Sequence, residues 1–160
     1  MRRNSMNALE LVNVTKRYNN FTLDNISFNV PKGAIMGFVG ENGAGKTTTI
    51  KAILDLIRID SGEIRIWGHS SKKLPMDLKA QIGVVFDGSN LHENLTANNI
   101  ALIMKNIYPN WDQKVFSDYL RKFQLPNDKK FKDYSRGMKM KLSIAIALSH
   151  NSKLLILDEP

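Results

Sequence analysis

Gly40-Glu41-Asn42-Gly43-Ala44-Gly45-Lys46-Thr47-Thr48 decides how this chain is read. Glycines at 40 and 45 followed by Lys46 and Thr47 fit the phosphate-binding loop pattern. Gly43 and Gly45 carry no Cβ, so the backbone can curl with its N–H groups turned inward on an anion. A helix expected from about Lys46 adds the positive end of its dipole at the same point. Lys46 is expected to reach the β- and γ-phosphates of a nucleotide, and the Thr47 hydroxyl to hold Mg²⁺. The flanks agree. Ile35-Met36-Gly37-Phe38-Val39 predicts a buried strand leading in, and Ile50, Ile53, Leu54 and Ile57 form a helical stripe leading out.

Upstream, Leu9 to Val14 and Leu23 to Val30 alternate apolar and polar residues, as half-buried strands do, with turns at Tyr18–Phe21 and Pro31–Gly33. Downstream, Asp60-Ser61-Gly62 reads as a turn, Glu63–Trp67 as an alternating strand and Ile82–Phe86 as a short buried one. Antiparallel strands followed by buried ones predict an α/β fold built on a mixed sheet. From Thr96 to His150 the pattern is helical. Thr96 and Asp112 are candidate N-caps, each with a hydrophobic staple: Leu95 with Ile100, and Trp111 with Phe116. Trp111 and Trp67 are therefore read as packing residues. Ser135 is a third N-cap, before a helix from Arg136 to Ser149.

The last apolar run, Leu154-Leu155-Ile156-Leu157, is expected to form a buried strand ending in Asp158-Glu159. A strand of this kind is where a phosphate-loop enzyme keeps its metal and water chemistry. Asp158 is expected to hold Mg²⁺ through water, and Glu159 to orient or deprotonate an attacking water. The Ser135 hydroxyl, the Gly137 N–H and the helix N-terminus form a candidate second anion site. One chain needs only one phosphate loop, so a second site points to two chains closing over one nucleotide.

Composition sets outer bounds. The chain has 160 residues with 42% hydrophobic and 24% charged content, ordinary for a soluble globular protein. It has no cysteine, which removes disulfides, thiolate metal sites and cysteine nucleophiles. No stretch approaches the roughly 18 apolar residues of a membrane-spanning helix, and Met1-Arg2-Arg3 is followed by polar residues rather than an apolar leader. The net charge is +8, with eight basic residues against two acidic ones between 121 and 141. That window reads as a solvated helix face, and nucleic acid is not an expected partner.

Taken together, these residues are similar to the ATP-binding subunits of ABC transporters over essentially the whole chain. Gly40–Thr48 resembles the Walker A motif, Leu154–Glu159 Walker B, and Ser135-Arg136-Gly137-Met138-Lys139 the family signature. Tyr18, after Val14-Thr15-Lys16-Arg17, resembles the aromatic residue that stacks on adenine. The wording around Asp87, Trp111 and Tyr134 is most similar to bacterial exporter-type subunits. The resemblance implies a P-loop core at 1–86, an inserted helical subdomain at about 87–134, and the signature helix with Walker B at 135–160. It implies ATP and Mg²⁺ as cofactors, a second ATP-binding subunit, and an integral-membrane permease contacting the helical subdomain at the inner face of the membrane.

Three departures qualify this expectation. Asp87, a candidate metal ligand, stands where the family usually has glutamine; an ionised aspartate only accepts hydrogen bonds, whereas glutamine also donates. Arg136 replaces a glycine of the signature, which is free of strain provided it is the first helical residue. The family continues past Walker B with a dimer loop and a histidine on the γ-phosphate. His69, His92 and His150 all precede Walker B and are not expected in that role, so the sequence reads as a fragment or shortened form of such a subunit. Two other functions stay open at this point: a soluble ATPase of the same family acting on ribosomes or nucleic acid, and a non-catalytic ATP-binding fragment.

Overall fold

The computed structural model describes residues 7–86 and 91–158, which fall into two compact units, Met1–Pro75 and Met76–Pro160. In the first unit, β1 (Asn7–Tyr18) and β2 (Phe21–Pro31) form an antiparallel hairpin closed at Asn19-Asn20. β3 (Ser61–Ile66) pairs with the other edge of β1, and the two-residue β4 (His69–Ser70) completes the order β2-β1-β3-β4. Leu9, Leu11, Val14, Leu23, Ile64 and Ile66 from these strands are buried. The alternation along β1 breaks at Asn13, whose φ of 49° marks a bulge. Opposite it, Gly62 has φ +88°, and a Cβ there would lie 2.3 Å from the Asn13 carbonyl oxygen. Only glycine lets β3 start this close to β1. The expected turn at 60–62 is therefore already the first rung of the strand.

α1 (Lys46–Ile53) buries Thr49, Ile50, Ala52 and Ile53. It stops short of the predicted stripe because Asp55 turns left-handed at φ 56°. The Asp55 N–H donates to Ala52 O at 3.1 Å and the Leu56 N–H to Lys51 O at 2.9 Å, a Schellman closure with aspartate in the position glycine usually takes.

The strand expected at Ile35–Val39 is not formed. Residues 34–40 have no regular structure, and Ile35 and Val39 are fully exposed. A continuously apolar strand is stable when ladders on both edges and packing on both faces cover it. Among the described residues neither sheet pairs with this segment; its one ring contact is Phe38 against Phe28 of β2, centroids 5.6 Å apart.

The second unit begins with α2 (Met76–Lys79) and pairs β5 (Ile82–Val85) with β6 (Leu154–Leu157) in parallel, Ile82 opposite Leu154 and Val85 opposite Leu157. The long crossover between them supplies α3 (Ala97–Ile107), α4 (Gln113–Lys122) and α5 (Arg136–Leu148). Each helix starts where its cap predicts. Thr96 Oγ1 accepts from the Asn99 N–H, with Asn99 returning a bond to the Thr96 N–H, a reciprocal box. Asp112 accepts from the Val115 N–H and Ser135 from the Met138 N–H. Phe116, Ile100, Leu142 and Ala145 are wholly buried in the core that these helices share, and Trp111 packs on Phe116 at 5.0 Å between rings. Gly83 lets the C-terminal turn of α5 lie close on β5, since a Cβ there would stand 2.8 Å from Ala147 O. The antiparallel and parallel strands of the expected fold are both present, but among the described residues they occupy separate sheets. β6 is buried on one face only: Leu154 and Ile156 are inside, while Leu155 and Leu157 are each 39% exposed.

Candidate nucleotide-binding site

In the first unit the loop at 40–48 leaves Gly40 and curls through left-handed Gly43 (φ +86°) and Gly45 (φ +95°) into α1. The Lys46 ammonium donates to Gly40 O at 2.8 Å and to Glu41 O at 3.0 Å, so the side chain folds back over its own loop. The Ala44 N–H donates to Glu41 O at 3.1 Å and closes the curl. Gly40, Glu41, Asn42, Gly43 and Ala44 are exposed, and Lys46, Thr47 and Thr48 are half-buried. No side chain caps α1 and no acidic residue stands in its first turn. The positive end of the helix dipole is thus left facing the loop, next to a lysine, which suits a polyphosphate.

Two residues outside the sequence motif fix this geometry. The Thr49 hydroxyl and N–H both donate to Gly45 O, at 2.9 and 2.8 Å, and Thr49 is buried. Phe21 of β2 presses its ring over Gly45, where a Cβ would meet it at 2.8 Å. Thr49 had a signal in the sequence, the i–4 hydroxyl bond that threonine makes inside a helix. Phe21 had none, because its partner is 24 residues away.

Tyr18 ends β1 on the same hairpin. It is 46% exposed, its ring stacks on Phe21 at 6.5 Å and 29°, and the Lys16 ammonium lies 5.3 Å from its centroid. Through Phe21 the first unit brings Tyr18 and the loop together. Asp60, half-exposed, accepts from the Arg17 N–H at 2.6 Å and from Lys16 Nζ at 3.2 Å, bonds that hold its carboxyl below the usual carboxylate range.

The second unit carries the remaining candidates. Asp158 follows β6, is 5% exposed, and donates its N–H to Val85 O at 2.8 Å. The parallel register therefore sets Asp158 and Phe86 at the same, carboxyl end of the β5–β6 pair. Glu159 and Asp87 lie outside the described residues. Ser135 and Gly137 sit exposed at the N-terminus of α5, with the Ser135 hydroxyl engaged by the Met138 N–H at 3.2 Å. A Cβ at Gly137 would meet nothing within 4 Å. Arg136 opens the helix, and neither it nor Gly137 has a positive φ, so the exchange for glycine stores no strain. Beneath the signature Tyr134 is buried, its hydroxyl donates to Pro126 O, and burial raises its pKa.

Among the described residues no group of three or more His, Cys, Asp or Glu could hold a metal ion. Mg²⁺ in nucleotide sites takes one or two protein oxygens and completes its shell with phosphates and water. A hydroxyl beside the loop (Thr47) and a buried strand-end carboxylate (Asp158) are the donor types it uses.

A glycine loop cradling a lysine at an uncapped helix N-terminus defines a phosphate-loop nucleotide-binding protein. The chain belongs to the ABC transporter family, which it matches over residues 23–160. It is 37% identical over 156 residues to the bacitracin transport ATP-binding protein BcrA of Enterococcus faecalis, covering 96% of this chain and 51% of that protein. It is 36% identical over 155 residues to the lantibiotic transport ATP-binding protein SrtF of Streptococcus pyogenes, covering 95% of this chain and 66% of the relative. Among solved structures, an ATP-binding subunit of an ABC transporter superposes with a TM-score of 0.84 at 29% identity, covering 96% of this chain and 66% of that one. The chain spans about half the length of the bacitracin relatives that it matches.

Proposed function

We propose that this chain binds ATP with Mg²⁺ as the nucleotide-binding part of an ABC transporter, and that two such parts close over the nucleotide to drive a separate membrane permease. The observation that carries the reading is the loop: Lys46 folded onto Gly40 and Glu41, left-handed Gly43 and Gly45, and a helix end that no side chain caps. Gly40 to Thr48 hold the phosphates, Tyr18 stacks on the adenine, and Ser135 and Gly137 engage the nucleotide of a second copy. Thr47, Asp87 and Asp158 are the residues we assign to Mg²⁺, which would neutralise developing phosphate charge when bound. Glu159 is the carboxylate assigned to orient the attacking water.

ATP hydrolysis is the general activity of the family, and we assign it to two such nucleotide-binding parts closed over the nucleotide. The relatives' names mention bacitracin and lantibiotics, so peptide antibiotics moving outward are the proposed cargo. No described helix is long and apolar enough to cross a membrane, and a permease contacting the 87–134 region would supply the path at the inner face. Calorimetric titration of the chain with Mg–ATP tests the binding step. Saturable binding that Lys46→Ala weakens at least tenfold is expected, and equal binding by both proteins rejects the site. Glu159→Gln in a form extended past residue 160 should trap an ATP-bound pair; unchanged turnover removes the role given to Glu159.

A further inference from the structure

We propose that Asp60 is the positioning residue that holds Tyr18 in place to stack on the nucleotide base; this rests on the ATP reading above. Asp60 stands between buried Ile59 and β3, far in sequence from both the loop and Tyr18, and it belongs to no motif. It makes contact with three consecutive residues at the end of β1. Its N–H donates to Thr15 O at 2.9 Å, Oδ1 accepts from Lys16 Nζ at 3.2 Å, and Oδ2 accepts from the Arg17 N–H at 2.6 Å. The next residue is Tyr18.

The contacts continue outward in one direction. Lys16, held by Asp60, places its ammonium 5.3 Å from the Tyr18 centroid, a cation–π distance. The Tyr18 ring also stacks on Phe21, which covers Gly45 of the phosphate loop. Asp60 also closes the connection that leaves α1, the helix opened by that loop. A single carboxylate thus ties the strand carrying the base platform to the segment that follows the phosphate cradle. A ring on a strand end beside a two-residue turn would otherwise swing, and stacking is lost when the platform is not fixed in advance. By contrast, Asp118 on α4 pairs with the side chains of Lys114 and Arg121 on its own helix.

The test separates base binding from phosphate binding, using Mg–ATP and inorganic tripolyphosphate, which has no base. With the wild-type chain, ATP is expected to bind more tightly than tripolyphosphate. Asp60→Ala should weaken ATP about tenfold, the scale of one base–aromatic stack, and leave tripolyphosphate within about twofold. Asp60→Asn keeps an oxygen for the Arg17 N–H, guards against a folding defect, and should lose about threefold on ATP alone. Tyr18→Ala should match Asp60→Ala, and the double variant should lose no more than either single one. Equal losses for both ligands, an unchanged ATP affinity, or additive losses in the double variant overturn the proposal. Failure of the wild-type chain to bind ATP at all overturns the underlying ATP reading instead.

Discussion

The His150 ring lies flat on the ring of Tyr108, 4.0 Å between centroids and 12° from parallel, where the chain leaves α5 for β6. His150 is 1% exposed, and its Nδ1 is 3.0 Å from Ala80 O, which requires the proton on Nδ1 in the neutral ring. Burial lowers its pKa, and no charged side chain contributes to the shift, while burial raises that of Tyr108. In the unfolded chain His150 titrates near 6.5. Below that pH the unfolded state binds a proton that the folded state refuses, so stability falls as pH drops and levels off below the folded pKa. The unfolding midpoint should therefore fall between about pH 7 and pH 5, and His150→Phe, which keeps a ring on Tyr108, should flatten that part of the profile. An unchanged slope in His150→Phe would assign the dependence elsewhere.

Gly62 and Gly33 separate two costs that glycine substitution usually mixes. Both have left-handed φ, +88° and +77°, but a Cβ at Gly62 lands 2.3 Å from the Asn13 carbonyl, whereas at Gly33 it meets nothing within 4 Å. Gly33→Ala is expected to cost about 1 kcal/mol, the backbone term alone. Gly62→Ala adds displacement of the β1 bulge and is expected to cost about 3 kcal/mol or more, measured by urea unfolding. Equal costs would show that β3 can move away from β1 freely.

What the sequence showed depended on the range of the interaction. Thr96, Asp112 and Ser135 were legible as caps because the groups that satisfy them lie three residues on, and all three bonds form. The phosphate loop was legible because its left-handed turns fall on its own glycines, Gly43 and Gly45. Ile35–Val39 misled because composition reports a wish for burial, and a strand forms only where another strand offers its edge. Phe21, Asp60 and the Tyr108–His150 stack were silent for the same reason: each acts on a partner that only the folded chain brings near.

The caps give a graded check on the second unit. Thr96→Ala removes a reciprocal box and Asp112→Ala a single acceptor, and each is expected to lower stability by about 1 kcal/mol. Phe116→Ala removes a wholly buried ring that also packs on Trp111, and should cost about 3–5 kcal/mol. Denaturant titration followed by tryptophan fluorescence reads all three, since Trp111 reports on its own staple. A Phe116→Ala loss no larger than the cap losses would mean that the helical core does not depend on this ring.

Thr49 and Lys46 act on the same loop from opposite sides, and their substitution should separate shape from charge. Lys46 donates to two loop carbonyls and is half-buried, so Lys46→Ala removes a charge while Gly43 and Gly45 keep their turns. Thr49→Val removes the hydroxyl bond to Gly45 O but leaves the N–H bond at 2.8 Å and the buried volume. Lys46→Ala is expected to weaken tripolyphosphate at least tenfold with an unchanged unfolding midpoint, because the ammonium meets the ligand directly. Thr49→Val is expected to lower stability by about 1 kcal/mol and weaken tripolyphosphate only about threefold, because the loop loosens without losing charge. Calorimetric titration and thermal unfolding of both variants decide the matter. The reverse ranking would make the curl at Gly45, and not the lysine, the main source of phosphate affinity.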